Sequence, residues 1–337
     1  MNVYVGLSGG VDSAVSAALL KEQGHQVTGA FIKIWRPEFI ECPWQKERLD
    51  AMRVCAHLGI PFKEIDLSEA YKKAVIDDLV ENYARGVTPN PDVLCNRHIK
   101  FGAFKEWVLS EGADAVATGH YAQTDGMRLL RGKDTNKDQS YFLWQLTKED
   151  LQKTLFPVGG YTKPEVRALA ERFKLPVAQK HDSQGLCFVG DVSMDEFLAR
   201  YLPLKKGKVL DQSGVVIGEH DGAALYTLGK RHGFRVTQAS TERTPHYVVG
   251  VDTQRNTITV APSIEPALVH DAELRDVNWV SDSEGTSLGA QARYREIPVA
   301  CHREGTKIIF EKHHLAPRGQ SLVLYDGDEL VGGGIIA

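Results

Sequence analysis

The sequence predicts an α/β protein: a doubly wound parallel sheet followed by two small β-rich domains, the last a β-barrel. Three observations carry this. Apolar strand candidates alternate with helical stretches over the first 118 or so residues, the pattern of βαβ units and a parallel sheet. A glycine-rich loop joins the first strand to the first helix. Beyond Leu202-Pro203 the chain changes to short β-prone segments separated by glycines and charged turns, as in small antiparallel sheets and barrels.

The 337 residues are 42% hydrophobic and 25% charged, values of a globular chain and enough length for two or three cores. No run of about 18 apolar residues occurs and the N-terminus lacks a signal-peptide pattern, so a cytoplasmic protein without membrane attachment is expected. The five cysteines, Cys42, Cys55, Cys95, Cys187 and Cys301, are odd in number and form no C-x-x-C pair, which argues against a disulfide framework or a zinc site. His120 and His220 stand without companion ligands at metal spacing, so no metal site is expected from them. The formal charge of −4 offers no global attraction to nucleic acid, although residues 200–262 carry nine Lys and Arg against five Asp and Glu. Arg200, Lys205, Lys206, Lys208, Lys230, Arg231 and Arg235 could hold phosphates there, or simply form a solvated face.

In chain order, residues 2–6 read as a strand, Leu7 to Ser13 as a tight loop, and the Ala/Leu-rich stretch beyond as a helix ending before Gly24. Strands follow at Gln26–Lys33, Phe62–Leu67 and Ala113–Thr118, with helices at Trp44–Leu58 and His98–Ser110. The hexapeptide Ser8-Gly9-Gly10-Val11-Asp12-Ser13 has the physics of an anion cradle, because two glycines let the backbone turn tightly while amide groups and a helix N-terminus face the same point. It is neither a Walker A loop nor a G-x-G-x-x-G fingerprint. Asp12 and Ser13 could equally be helix caps. In Pro89-Asn90-Pro91-Asp92-Val93-Leu94-Cys95-Asn96, the two prolines impose a rigid loop and Asn96 is a candidate cap. Cys95 then reads either as a small buried hydrophobe at a turn, the commoner case for such a residue taken alone, or as a thiol whose place beside Arg97, His98 and a helix start favours thiolate. Cys187 falls in the polar, glycine-bounded stretch Asp182 to Gly190.

The loop at residues 8–13 resembles the pyrophosphatase loop of the PP-loop ATP-pyrophosphatase superfamily. Taken in order with Asn90-Pro91-Asp92 and Cys95, Ala117 to Tyr121, Lys137 to Leu143, Asp182 to Gly190, Gly218 to Gly222, Tyr226 to Arg231 and, more weakly, Arg293 to Arg295, it resembles the bacterial-type tRNA-specific 2-thiouridylases. That resemblance implies that Gly6, Leu7, Ser8, Gly9, Gly10, Val11, Asp12 and Ser13 bind ATP phosphates with Mg²⁺, and that Ile32 and Gly119 flank the adenosine. Position 32 departs from the family, which usually has methionine. It further implies that Asn90, Pro91 and Asp92 meet the target base and that Lys137, Asp138, Gln139, Arg293 and Tyr294 touch tRNA. Cys187 would carry a persulfide and Cys95 would form a transient disulfide with it. Asp92 has two open roles, proton transfer or turn formation. The implied partners are the tRNAs for Lys, Glu and Gln and a persulfide donor, either a relay protein or a cysteine desulfurase. Domains are expected at 1–202 (catalytic), 203–264 (central, RNA-contacting) and 265–337 (barrel). The competing assignments are another PP-loop adenylating enzyme acting on tRNA or a small molecule, which needs no paired cysteines, and a non-catalytic RNA-binding module.

Overall fold

A computed structural model describes residues 1–39, 44–181, 192–237, 245–281 and 287–337. Cys42 and Cys187 lie outside them. The first domain is built on strands β1 (Asn2–Gly6), β2 (Gln26–Lys33), β3 (Phe62–Asp66), β4 (Ala115–Ala117), the hairpin β5 (Ala122–Thr124) and β6 (Leu129–Arg131), and β7 (Thr154–Leu155). A parallel sheet runs β3-β2-β1-β4-β7. Helix α1 (Val11–Glu22) follows β1 and is buried from Val11 through Leu20 except at Asp12, since it lies between the sheet and the helix Lys163–Arg172. Ala14, Ala17 and Ala18 keep that approach close. Helix α2 (Trp44–Leu58) is amphipathic, with Ala51, Val54, Cys55 and Leu58 inward at helical spacing. The chain reverses direction across the sheet between β1 and β4, the switch point where open α/β sheets hold ligands.

The middle sheet contains β8 (Gly207–Leu210), β9 (Val216–His220), β10 (Phe234–Val236), β11 (Tyr247–Asp252) and β12 (Thr257–Ala261), in the order β10-β9-β8-β12-β11. The last unit closes β13 (Val269–Trp279), β14 (Leu288–Gln291), β15 (Val299–Glu304), β16 (Lys307–His314), β17 (Ser321–Asp326) and β18 (Glu329–Ile336) into a barrel, with β13 pairing both β16 and β18. Strand β13 bends where Asp276 takes φ 52° and the register to β18 shifts. Residues 292–295, between β14 and β15, form a loop in which Arg295 has φ 62°.

Neither accessory unit packs alone. The hairpin β5–β6 extends the barrel sheet, Leu129 pairing Leu330 and Leu130 pairing Glu329. Tyr4, Phe104 and Trp144 of the first domain share one apolar cluster with Val323, Tyr325 and Leu330 of the barrel. Tyr71, Val75, Leu79 and Cys95 share another with Val209, Val248 and Ile258 of the middle sheet. Fully buried Trp144 donates its indole N–H to Ser321 Oγ at 3.0 Å, and Asn278 Nδ2 donates to the Trp144 and Leu146 carbonyls at 2.8 and 2.9 Å. Arg131 stacks 3.5 Å over Tyr325.

Candidate active site at the strand switch point

The turn after β1 is shaped by glycine. Gly9 has φ +72°, and a Cβ there would sit 2.4 Å from the Glu47 carbonyl oxygen in the first turn of α2. A Cβ on Gly119, just past β4, would sit 2.7 Å from the amide nitrogen of Ser13. No larger residue fits either place, so the two loops close on the start of α1 with backbone facing backbone. The expectation that Asp12 or Ser13 caps α1 is not met: Gly10 occupies the cap position without a side-chain bond. Ser13 Oγ instead donates to the Gly10 carbonyl at 3.3 Å and accepts from the Ser8 amide at 3.3 Å. Asp12 Oδ1 accepts from Tyr121 Oη at 2.8 Å and pairs with Lys163 Nζ at 2.7 Å. Lys180 Nζ donates to the Gly9 carbonyl at 3.0 Å and pairs with buried Asp50 at 2.9 Å. The turn is braced from both sides by lysines, and ammonium groups at a glycine turn on a helix N-terminus suit a polyanion. Ile32, near the C-terminal end of β2, registers with Ile65 of β3 and packs partly buried between two apolar clusters.

Next to the cradle lies the Asn-Pro-Asp loop. Asn90 caps the short helix Pro91–Leu94, its Oδ1 accepting from the Val93 amide at 3.3 Å, with Pro91 at the first helical position. Asn96, expected as a cap, is buried and donates to the Phe142 carbonyl at 3.0 Å, because the helix begins six residues earlier than the sequence pattern suggests. Cys95 therefore lies past the first turn, where the helix widens into a π-type segment from Cys95 to Ala103. It is buried, and Arg97 is engaged by Asp150 at 3.3 Å. Desolvation pushes the Asp92 carboxyl above its ordinary range and the nearby Lys100 ammonium pulls against this.

Among the described residues, His120 links the cradle to the helical segment that follows the loop. His120, the neighbour of Gly119, is buried beside Phe101 and Phe156, with Nδ1 at 2.7 Å from Thr118 Oγ1 and Nε2 at 3.3 Å from Lys100 Nζ. Desolvation, and after it Lys100, holds its pKa well below the usual value, so the ring is neutral.

Comparison with known proteins agrees with this architecture. The family described as tRNA methyl transferase HUP domain matches residues 1–191, its PRC-barrel domain 195–262, and an aminomethyltransferase beta-barrel domain 269–336. The tRNA-specific 2-thiouridylase MnmA of Akkermansia muciniphila is 43% identical, covering 98% of this chain and 97% of its own. The protein of that name from Bacillus subtilis is 41% identical, covering 99% and 94%. The chain belongs to the tRNA-specific 2-thiouridylase MnmA family. Among solved structures, the U34-tRNA thiolase NcsA from Methanococcus maripaludis with its [4Fe-4S] cluster is 22% identical with a TM-score of 0.37, covering 59% of this chain and 62% of that one.

In this MnmA-family chain the residues expected to touch tRNA do not share one setting. Asp138 is buried, accepting from Arg131 at 2.8 Å, the Gly132 amide at 2.9 Å and both Ser140 donors at 3.0 and 3.1 Å. Gln139 clasps the Tyr121 backbone, its amide donating to the Tyr121 carbonyl at 2.8 Å and its Oε1 accepting from the Tyr121 amide at 3.1 Å. Lys137 is half-buried beside them. Exposed Arg293 donates to the Leu228 carbonyl at 3.0 Å, joining barrel to middle sheet, and Tyr294 packs on Phe142 at 4.7 Å. Lys230, a candidate phosphate contact, is paired with Asp195 at 2.8 Å. Cys55 and Cys301 are buried, their thiols pushed up to about 11 and about 12 by desolvation, as suits core residues. Lys163, Lys180 and Lys100 were assigned no role from the sequence, and Tyr121 entered only as the end of a motif. No periodicity or motif logic links them to Asp12, Gly9 or His120, from which they are separated by up to 171 positions.

Proposed function

We propose that the chain adenylates the C2 oxygen of the wobble uridine of tRNA in the β1–β4 cradle and then replaces that oxygen with sulfur carried as a persulfide on Cys187, giving 2-thiouridine, AMP and pyrophosphate. The observation that carries this is the run Thr118-Gly119-His120: Gly119 packs on the cradle while His120 touches the helical segment that begins at Cys95. A nucleotide in the cradle and a base at Asn90–Asp92 would thus be neighbours. Cys187 enters on sequence resemblance and family membership.

Residues Gly6 to Ser13 would take the ATP phosphates, with Ile32 and Gly119 beside the adenosine. Gly9 and Gly119 let the α2 and β4 ends pack directly on the backbone of the turn, which fixes its shape. Mg²⁺, bound with ATP, would offset phosphate charge, and Asp12, in the first turn of α1, is the carboxylate able to hold it. In the first step O2 bonds to the α-phosphorus, the bond to the β-phosphate breaks, and its electron pair leaves with pyrophosphate. The N3 proton leaves the base in the same step. Asp92 takes that proton while ionised, the form that Lys100 favours. In the second step the terminal persulfide sulfur bonds to C2 and the C2–O2 bond breaks with AMP as leaving group. Cys95 then attacks Sγ of Cys187, freeing the transferred sulfur and leaving a Cys95–Cys187 disulfide. A thiol reductant must reset it. The base leaves its stack to reach the site, at a cost of a few kcal/mol, offset by tRNA contacts that include Lys137, Arg293 and Tyr294. The tRNAs for Lys, Glu and Gln are the expected substrates, a relay protein or a cysteine desulfurase the sulfur source, and the cytoplasm the location.

The test incubates protein, unmodified tRNA, radiolabelled ATP and a persulfide donor and follows AMP, pyrophosphate and thiolated nucleoside. Wild type should yield all three. Cys187→Ser should form no 2-thiouridine. Undiminished 2-thiouridine from Cys187→Ser would sink the proposal and favour a PP-loop adenylating enzyme of another kind.

A further inference from the structure

The side chain of Lys100 has no role in the ATP cradle, the thiol pair or the core. It is half-buried, and its one described polar contact is the 3.3 Å approach to His120 Nε2. Among the described residues no carboxylate lies within ion-pair distance of its nitrogen, although Asp92 is close enough to feel its charge. The ammonium can only donate, so Nε2 accepts and Nδ1–H donates to Thr118 Oγ1. His120 thus fixes the position of the charge without neutralising it. A half-buried ammonium with no carboxylate at ion-pair distance is free to meet an anionic ligand. The location names the ligand. Lys100 lies on the π-type segment that starts at Cys95, wide turns that recur at functional sites, and it points at the strand end whose Gly119 packs on the cradle.

We propose that Lys100 is a further catalytic residue, the cation that stabilises the bridging oxygen of the O-adenylated base in both halves of the reaction. The proposal rests on the adenylation mechanism above. In the first half that oxygen bonds to the α-phosphorus as the bond to pyrophosphate breaks. In the second it leaves carbon with the electron pair and departs on AMP. In the first half, loss of the N3 proton loads negative charge on O2 as it attacks phosphorus, and in the second the same oxygen takes the C2–O2 electron pair, so one fixed ammonium serves both steps. Lys100 makes and breaks no covalent bond and keeps its three protons. Thr118 and His120 are positioning residues that hold it.

The experiment measures single-turnover pyrophosphate release and 2-thiouridine formation in Lys100→Met and Lys100→Arg, with ATP KM, melting temperature and sulfur loading of Cys187 as further readouts. Loss of one preorganised donor of this kind lowers turnover about 10²- to 10³-fold. Lys100→Met should show that loss in pyrophosphate release, with ATP KM within about threefold of wild type and sulfur loading unchanged, and Lys100→Arg should recover part of the rate. If Lys100→Met fails to fold, Lys100→Gln and Lys100→Arg carry the comparison. Wild-type turnover in a folded Lys100→Met protein overturns the proposal. So does a loss that tracks falling melting temperature and ATP affinity, which marks a structural cation. Pyrophosphate release without thiouridine from wild type would instead defeat the thiolation reading and leave the Lys100 comparison intact.

Discussion

The cradle and the base loop lie side by side but are made differently. The cradle is one local turn between β1 and α1, closed by backbone against backbone at Gly9 and Gly119. The loop leading to Asn90-Pro91-Asp92 is held by all three units. Thr88 shares a 2.6 Å hydroxyl bond with Thr227 of the middle unit, its amide donates to the Arg318 carbonyl at 3.3 Å, and its carbonyl accepts from Gln320 of the barrel at 2.9 Å. Gly319, at φ +88°, is needed for that approach, since a Cβ there would stand 2.2 Å from Val87 Cγ1. The cradle belongs to one domain, and the Asn-Pro-Asp loop is fixed where three meet. On the function proposed above, RNA held by the accessory units would bear directly on the Asn-Pro-Asp loop, while ATP in the cradle would not depend on them.

The sharpest way to break this comparison is at the cradle. Gly9→Ala forces a side chain into a left-handed conformation, costing about 1–3 kcal/mol, and drives Cβ into the Glu47 carbonyl. We expect near-complete loss of ATP-dependent pyrophosphate release and a lower urea midpoint. Activity at wild-type level would show that the turn is not the nucleotide site.

A smaller effect tests the seam between the two regions. His120 faces Lys100 and Thr118 and is kept neutral, with a folded pKa depressed far below 6.5. As pH falls through about 6.5 the unfolded chain takes up a proton that the folded chain refuses, so stability is full above that pH and declines below it. One such group gives a slope of up to about 1.4 kcal/mol per pH unit. His120→Asn keeps a donor for Thr118 but cannot titrate, and should flatten the fall in denaturant midpoint between pH 6.5 and 5. His98, also lowered by burial, contributes equally to both proteins. Parallel slopes would mean that the ring is already charged or exposed.

What the sequence revealed follows the same division. Strand Gln26–Lys33 and helix Trp44–Leu58 have the expected limits, because apolar periodicity is a local signal. The glycines at 9 and 10 announced a turn for the same reason. Asn90 was legible as a member of Asn-Pro-Asp but not as the cap, since a run containing two asparagines offers two candidate starts and only packing selects one. The setting of Asp138 was not legible: its partner Arg131 sits on a hairpin whose pairing with the barrel no local pattern foretells. The clamp on Thr88 was invisible, because Thr227 and Gln320 come from 139 and 232 positions away.

That clamp gives the finest test. A neutral hydrogen bond contributes about 0.5–1.5 kcal/mol, so Thr88→Val or Thr227→Val alone should cost only that much stability. The two together should cost little more than either, since removing one partner already breaks the bond. A double-mutant cycle isolates that coupling. If the clamp only glues domains, the melting temperature falls and tRNA kinetics do not. If it sets the base loop, kcat/KM for tRNA falls about five- to tenfold, equivalent to about 1–1.4 kcal/mol, while the ATP KM stays fixed. The second outcome is expected: Thr88 precedes Asn90 by two residues, and a loop so close to the reacting base cannot shift without moving Asp92 relative to Lys100 and the cradle.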